Sequence, residues 1–387
     1  MSVQEFKCPT CGGSVVFSSE KQKMVCEYCG SEFEVGDPAL AAHRHGATES
    51  DGEEVHDQDH DYDHDHGPTV KAAPDSMEIN WDKDETTFSA QEESGLYVYT
   101  CNSCGGEIVG DATMASTSCP FCNNKVVIPS QFKGDLRPDL VIPFKMDKEA
   151  AKKALKKSYQ GKKLLPRVFV DENHIDEIKG LYVPFWLYSG TAYADLKFDA
   201  VRVKTWRDSS FNYTETFYYE VTRDGNMDFL NVPVDGSSKM SDLLMQSIEP
   251  FNWDDGVAFN SGYLAGFLAN RYDMDAEDCV DVANERIKNT TIKKFTDSVN
   301  QYNNATLVSQ HFELKQGKIN YALAPVWVLN TIWNGKKYTF AMNAQTGRFA
   351  GDDLPVDKGI YWKYFLGIAA VVGIITFIIM MVIYPSL

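Results

Sequence analysis

The sequence predicts a multi-domain protein: two small cysteine-built β modules joined by a disordered acidic linker, then an α+β domain, then one C-terminal transmembrane helix. Three observations predict it. Eight of the nine cysteines fall into two copies of one spacing pattern. Residues 37–94 carry −14 of the chain's net charge of −18. Tyr364 to Tyr384 is a run of 21 residues without a charge.

The cysteine modules come first. Cys8, Cys11, Cys26 and Cys29 recur 93 residues later as Cys101, Cys104, Cys119 and Cys122, and both copies leave 14 residues between the inner pair. Two residues between cysteines is the reach a tight turn needs to aim both sulfurs at one ion. Four thiolates around a tetrahedral centre make the common closed structural zinc site. Gly12, Gly30 and Gly105 follow their pairs and permit the positive φ with which the backbone turns beneath a metal. Asn123 takes that place after Cys122 and is the best non-glycine substitute there. Each inner segment reads as a short hairpin, too small for a core of its own. A structural zinc contributes about 10–16 kcal/mol to folding such a fragment. Disulfides and a redox dithiol are the competing readings; disulfides need an oxidising compartment, and the N-terminal residues show no secretion-signal pattern.

Residues 1–36 and 95–130 are therefore expected to be two small β zinc ribbons holding two structural Zn²⁺. Cys8, Cys11, Cys26 and Cys29 would ligate the first, and Cys101, Cys104, Cys119 and Cys122 the second. A closed four-thiolate site leaves no position for an activated water, so these ions are expected to hold shape and not to catalyse. Phe17, Val35, Ile108 and Phe121 are the apolar side chains the ribbons have to place. They suit either a docking surface or packing against the sibling ribbon or the α+β domain.

Residues 37–94 are polar and acidic, a composition that cannot bury enough apolar surface to order itself, and disorder is predicted. Six of the eight histidines lie in residues 43–67, interleaved with aspartates. That segment is either a solvated spacer or a weak capture site for Zn²⁺, Ni²⁺ or Cu²⁺.

Residues 139–355 read as one α+β domain. "VIPFKM" (141–146) is predicted as a strand, and 147–160 as a helix capped by Asp147. The aromatic and β-branched stretches 180–206 and 211–234 predict antiparallel strands. A mostly helical section follows, strongest over 276–302, with Cys279 as a small buried hydrophobe. Strands return at 321–352, with hairpin turns at Gly335 and Gly347. "YVPFW" (182–186) and "LAPVW" (323–327) share a Pro-x-Trp core, a sign, five residues long, of two related halves.

No phosphate loop, nucleophile elbow or H-E-x-x-H occurs in the chain. His174 and His311 have no motif around them and read as ordinary structural or surface residues. No catalytic residue and no enzymatic activity is expected. Lys148, Lys152, Lys153, Lys156, Lys157, Lys162 and Lys163 form a basic cluster. It suits a solvated helix face, anionic lipid, nucleic acid or the acidic linker. The acidic overall balance argues against general phosphate-backbone binding, so nucleic acid is not an expected partner.

At about 1.5 Å per residue, residues 364–384 span one hydrocarbon core of about 30 Å. Tyr361, Trp362, Tyr364 and Tyr384 stand at interfacial positions, and Lys358 and Lys363 flank the N-terminal end. These charges predict a single-pass cell-membrane protein with its N-terminal bulk in the cytoplasm.

The eight ribbon cysteines resemble those of TFIIB-type zinc-ribbon proteins and of the replication-restart helicase, primosomal protein N′. That likeness covers the ribbons alone, and a helicase would need a phosphate loop. Together with "YVPFW", "LAPVW" and the terminal span, most of the chain resembles the membrane-anchored double zinc-ribbon proteins of the Bacillus YdjG type. The His/Asp-rich linker departs from that pattern. The resemblance implies a scaffold that recruits protein partners in envelope stress, among them SPFH-domain and phage-shock-protein-A-like proteins. A membrane-tethered nucleic-acid-binding zinc-ribbon protein is the alternative, carried by the ribbon likeness alone.

Overall fold

In the computed structural model, residues 6, 8–11, 13, 15–37, 39–40, 81–83, 87, 97–101, 104–110, 119–121, 128–131 and 136–383 are described. The N-terminal third contributes β1 (Val15–Ser18), β2 (Lys23–Cys26), β3 (Glu32–Phe33), β4 (Trp81–Lys83), β5 (Tyr97–Thr100), β6 (Glu107–Gly110) and β7 (Ile128–Gln131). Then come β8 (Leu140–Val141), α1 (Lys148–Tyr159), α2 (Arg167–Val170), α3 (Glu172–Ile175), β9 (Lys179–Arg207) and β10 (Asn212–Asp235). The remainder is α4 (Asp242–Ile248), β11 (Val257–Ala258), β12 (Leu268–Asn270), α5 (Val280–Asp297), β13 (Asn304–Trp333), β14 (Lys336–Asn343), β15 (Phe349–Gly351) and α6 (Lys358–Ile383).

Two very long strands set the architecture. β9 and β13, of 29 and 30 residues, pair antiparallel from Asn304↔Val201 to Val328↔Lys179. At its inner end the sheet is covered on both faces. Tyr182, Trp186 and Tyr188 enter one core, and Leu181, Val183, Phe185 and Leu187 enter another. Successive side chains point to opposite faces, so a strand buried on both sides reads as an unbroken apolar run. Beyond Val201 the β9–β10 hairpin outruns β13 and projects as a two-stranded arm.

The Pro-x-Trp segments are neighbours in this sheet: Pro184 faces Leu323, and Pro325 faces Tyr182. Around them two βαββ halves exchange strands. β8, which leads into α1, lies parallel beside β13, while β12, which leads into α5, lies parallel beside β9. Trp186 Nε1 donates to the Met274 carbonyl and Trp327 Nε1 to that of Met146, both at 2.8 Å. Each indole also meets an aromatic of the opposite half at 5.3 Å, Tyr272 and Phe144 respectively. Gly236 N donates to the Pro184 carbonyl, and Ala344 N to that of Pro325, both at 3.0 Å. "MDKEAA" (146–151) and "MDAEDC" (274–279) hold equivalent places ahead of α1 and α5. The two halves are thus one structural unit built twice.

One pair of equivalent positions differs in chemistry. Asn343 donates to the carbonyls of Ile248 and Pro250 and accepts from Gln345 N. Asp235, its counterpart, accepts from Ser237 N at 3.0 Å, and among the described residues its other, buried oxygen has no partner. Burial pushes its carboxyl well above the usual range. A folded-state pKa raised above the unfolded one contributes stability present below the unfolded pKa and lost as pH rises through the folded one. Asp235→Asn is therefore expected to raise the melting temperature at neutral pH, with the gain shrinking as pH falls into the ordinary aspartate range. Equal melting of the two proteins at neutral pH would refute this.

The structure refines several sequence expectations. Asp147 does cap α1, accepting from Ala150 N at 2.7 Å. Asn334 and Gly335 supply the two positive φ angles of the β13–β14 turn. Of "VIPFKM" only Val141 lies in a strand, β8, because Pro143 cannot donate to a ladder and Lys145 and Met146 bond instead to the Ala344 carbonyl. The section expected to be mostly helical also holds β11 and β12.

Two corrections concern organisation. β6 pairs with β12 (Ala269↔Val109, Asn270↔Ile108), so β6, β5 and β7 continue the main sheet, and the second ribbon is an extension of it. The predicted linker, 37–94, is ordered at both ends. Leu40 is buried in the core, and β4 runs parallel to β13, with Trp81 edge-on to Tyr188 at 4.9 Å and bonded to Asn284 Oδ1. Average acidity hid these two apolar anchors. Residues 41–80, with all six linker histidines, lie outside the described residues.

Candidate metal centres

β1 and β2 form a hairpin joined by β3, and this three-stranded sheet brings the first four cysteines together. Their sulfurs all lie within 4.8 Å of one another. Cys8–Cys29 is 3.6 Å and Cys11–Cys26 3.4 Å. Four sulfurs each about 2.3 Å from one Zn²⁺ would stand about 3.8 Å apart, whereas a disulfide requires about 2.05 Å. The donor set fits the ion. In the second ribbon Cys101, Cys104 and Cys119 cluster in the same way, with Cys104–Cys119 at 3.7 Å. Cys122 lies outside the described residues, as does Asn123.

The turns beneath the sulfurs share one design. Cys8 N donates to the Gly13 carbonyl, Cys26 N to Ser31 and Cys101 N to Gly106, at 2.8–2.9 Å. Gly30 and Gly105 adopt φ of +73° and +66° and donate back to the Cys26 and Cys101 carbonyls. The second glycine of each "CGG" has a different task. A Cβ at Gly13 would fall 2.4 Å from the Tyr28 ring, and one at Gly106 would fall 2.6 Å from the Phe121 ring. Each ribbon thus lays an aromatic from its second cysteine pair onto the first, a contact that spacing alone did not reveal.

Ser31 is a further residue the spacing missed. Its hydroxyl lies 3.1 Å from Cys29 Sγ and, with the Ser31 backbone, holds that thiol down to about 6. Burial pushes the Cys8 thiol up, but the Cys11 and Thr10 backbone N–H groups outweigh it and leave it low. Thiolate is the form that binds metal.

Of the two alternatives for the apolar ribbon side chains, packing against the α+β body is the one the structure shows. Phe17 meets Tyr263 edge-on at 5.2 Å, and Phe17 N donates to the Ala265 carbonyl. Val35 packs against the same core, beside Gly262. Ile108 and Phe121 are buried with Phe185 and Leu181 on the opposite face. Lys337 Nζ reaches the Phe121 carbonyl at 2.9 Å, and Arg271 pairs with Glu107 at 2.6 Å. Fragments this small place their apolar groups by borrowing a neighbour's core.

Other candidates carry no chemistry of this kind. Cys279 is fully buried, and burial, with Asp235 nearby, pushes its thiol up to about 12. His174 bridges Glu177 and Thr331 at 2.9 and 2.8 Å, tying α3 to β13. His311 is exposed beside Glu313.

No protein-family model matches the chain, and no solved structure matches it. Protein YdjG of Bacillus subtilis (strain 168) is 32% identical over 243 residues, which cover 63% of this chain and 71% of that protein. At that identity and coverage the chain belongs to the family of the Bacillus subtilis protein YdjG.

Proposed function

We propose that this protein is a non-enzymatic adaptor: a scaffold anchored by α6 to the cell membrane, with its N-terminal bulk in the cytoplasm, that recruits protein partners in the response to envelope stress. The observation that carries the reading is the pairing of a four-thiolate centre at Cys8, Cys11, Cys26 and Cys29, which offers a metal no open position, with a helix whose side chains stay unburied along its apolar length. Lys358 and Lys363 at the near end of α6 support the orientation. Since the ribbons spend their apolar faces on the body, we assign recruitment to the β9–β10 arm. There Phe211, Tyr218 and Trp206 are 65%, 81% and 45% exposed. SPFH-domain and phage-shock-protein-A-like proteins are the partners the resemblance suggests.

Affinity capture of the full-length protein from detergent-solubilised membranes tests this. Mass spectrometry is expected to identify those two partner classes with the wild type, and at least several-fold less of them with Trp206→Ser/Phe211→Ser/Tyr218→Ser. Capture equal in both proteins would remove the arm from the reading. Salt-sensitive recovery of nucleic acid in place of protein would favour the tethered nucleic-acid alternative.

A further inference from the structure

We propose that the cleft between the start of α6 and the α1–α2 edge of the body is a binding site for the phosphate headgroup of an anionic phospholipid. The inference rests on the membrane-anchoring reading of α6 and is independent of the adaptor role.

α6 does not leave the body freely. Asp357 N donates to the Leu164 carbonyl at 2.8 Å, and the Asp357 carboxylate caps the helix by accepting from Gly359 N and Ile360 N at 2.7 and 3.2 Å. This fixed entry leaves a cleft of about 1120 Å³ beside the first turns of the helix. Lys163, Arg167 and Lys363 line it near the start of α6, its rim, and Ile368 and Val371, further along α6, line it with Trp333 of the body.

The rim charge is available. Among the described residues Lys163, Arg167 and Lys363 pair with no carboxylate, whereas on α1 Lys152 is held by Glu149 and Asp176, and Lys156 by Glu172. The one acid lining the cleft, Asp357, is engaged in capping. Three cations against one carboxylate leave the rim positive.

Position selects the ligand. At about 1.5 Å per residue, Val371 lies about 12 Å along α6 from Lys363, so the cations stand at headgroup level and the apolar wall at acyl-chain level. Ile332 and Val356 adjoin lining residues in sequence and are 55% and 52% exposed, an apolar collar suited to the same interface. A cationic rim above an apolar wall matches an amphiphile with an anionic head and does not match a free phosphate.

The test uses the full-length protein in nanodiscs made of equal phosphatidylglycerol and phosphatidylcholine, released into a native mass spectrometer. Phosphatidylglycerol adducts are expected to exceed phosphatidylcholine adducts at least fivefold. Lys163→Gln/Arg167→Gln should cut that ratio at least threefold, with melting unchanged because both side chains are exposed. Lys293→Gln/Lys294→Gln, an equal charge change on the exposed face of α5, should leave the ratio intact. Equal adducts of both lipids, or equal loss in the α5 variant, would overturn the site. Displacement of the lipid by 10 mM inorganic phosphate, roughly a physiological excess, would mean a plain anion site. A chain that fails to enter the nanodisc would sink the membrane reading itself.

Discussion

Replacing Cys101 and Cys104 with serine is expected to lower bound zinc from two ions per chain to one and to destabilise the body along with the ribbon. Cys101, Cys119 and Phe121 share a buried cluster with Phe185, Trp253 and Val326, so a metal held there would stand over the core. β6 is hydrogen-bonded to β12, which is bonded to β9, and that ladder carries any loosening of the ribbon inward. A structural zinc contributes about 10–16 kcal/mol, comparable to the whole stability of an ordinary domain, about 5–15 kcal/mol. The melting temperature should fall by roughly 10 °C or more, since each kcal/mol is worth a few degrees in a domain of this size. Cys8→Ser/Cys11→Ser should cost less. β1, β2 and β3 form their own sheet, so losing that metal uncovers Phe17 and Met24 without breaking the main ladder. In both variants the remaining ribbon should keep its zinc. Elemental analysis and thermal unfolding measure the two outcomes. Two metals retained in the first variant, or unchanged melting, would contradict the merged-sheet arrangement. Visible absorbance would reveal an iron–sulfur cluster in place of zinc.

Truncation after Pro355 is expected to move the protein from the membrane pellet to the supernatant, by about tenfold or more. Among the described residues α6 is the one helix long and apolar enough to span a bilayer. Its removal takes from the body only the Asp357–Leu164 bond and the contacts around it, so the truncated protein should keep both metals and its melting behaviour. Fractionation with a carbonate wash gives the answer. Persistent membrane association would mean that the lysines of α1 and the collar around Ile332 hold the bilayer unaided.

The features legible in the sequence are those written by residues close together in the chain. A Cys-x-x-Cys pair and the glycine after it specify a metal turn within six residues, and Gly30 and Gly105 take the φ that role requires. The α1 cap, the Asn334-Gly335 turn and the charge-free run of α6 are likewise local, and each was readable without knowing what packs against it. Partner choice is not local, and the tertiary structure alone decided it. Nothing near Val109 in sequence says that its strand pairs with Ala269, so the second ribbon read as a separate body. Trp81 was lost in an acidic average because the residues that bury it, Tyr188 and Asn284, lie far along the chain. "YVPFW" and "LAPVW" hinted at two halves, but that each tryptophan bonds into the opposite half depends on a strand exchange no short segment records. Metal knuckles, caps and spans are satisfied by their own neighbours; burial and strand pairing are satisfied only by what the whole chain brings alongside.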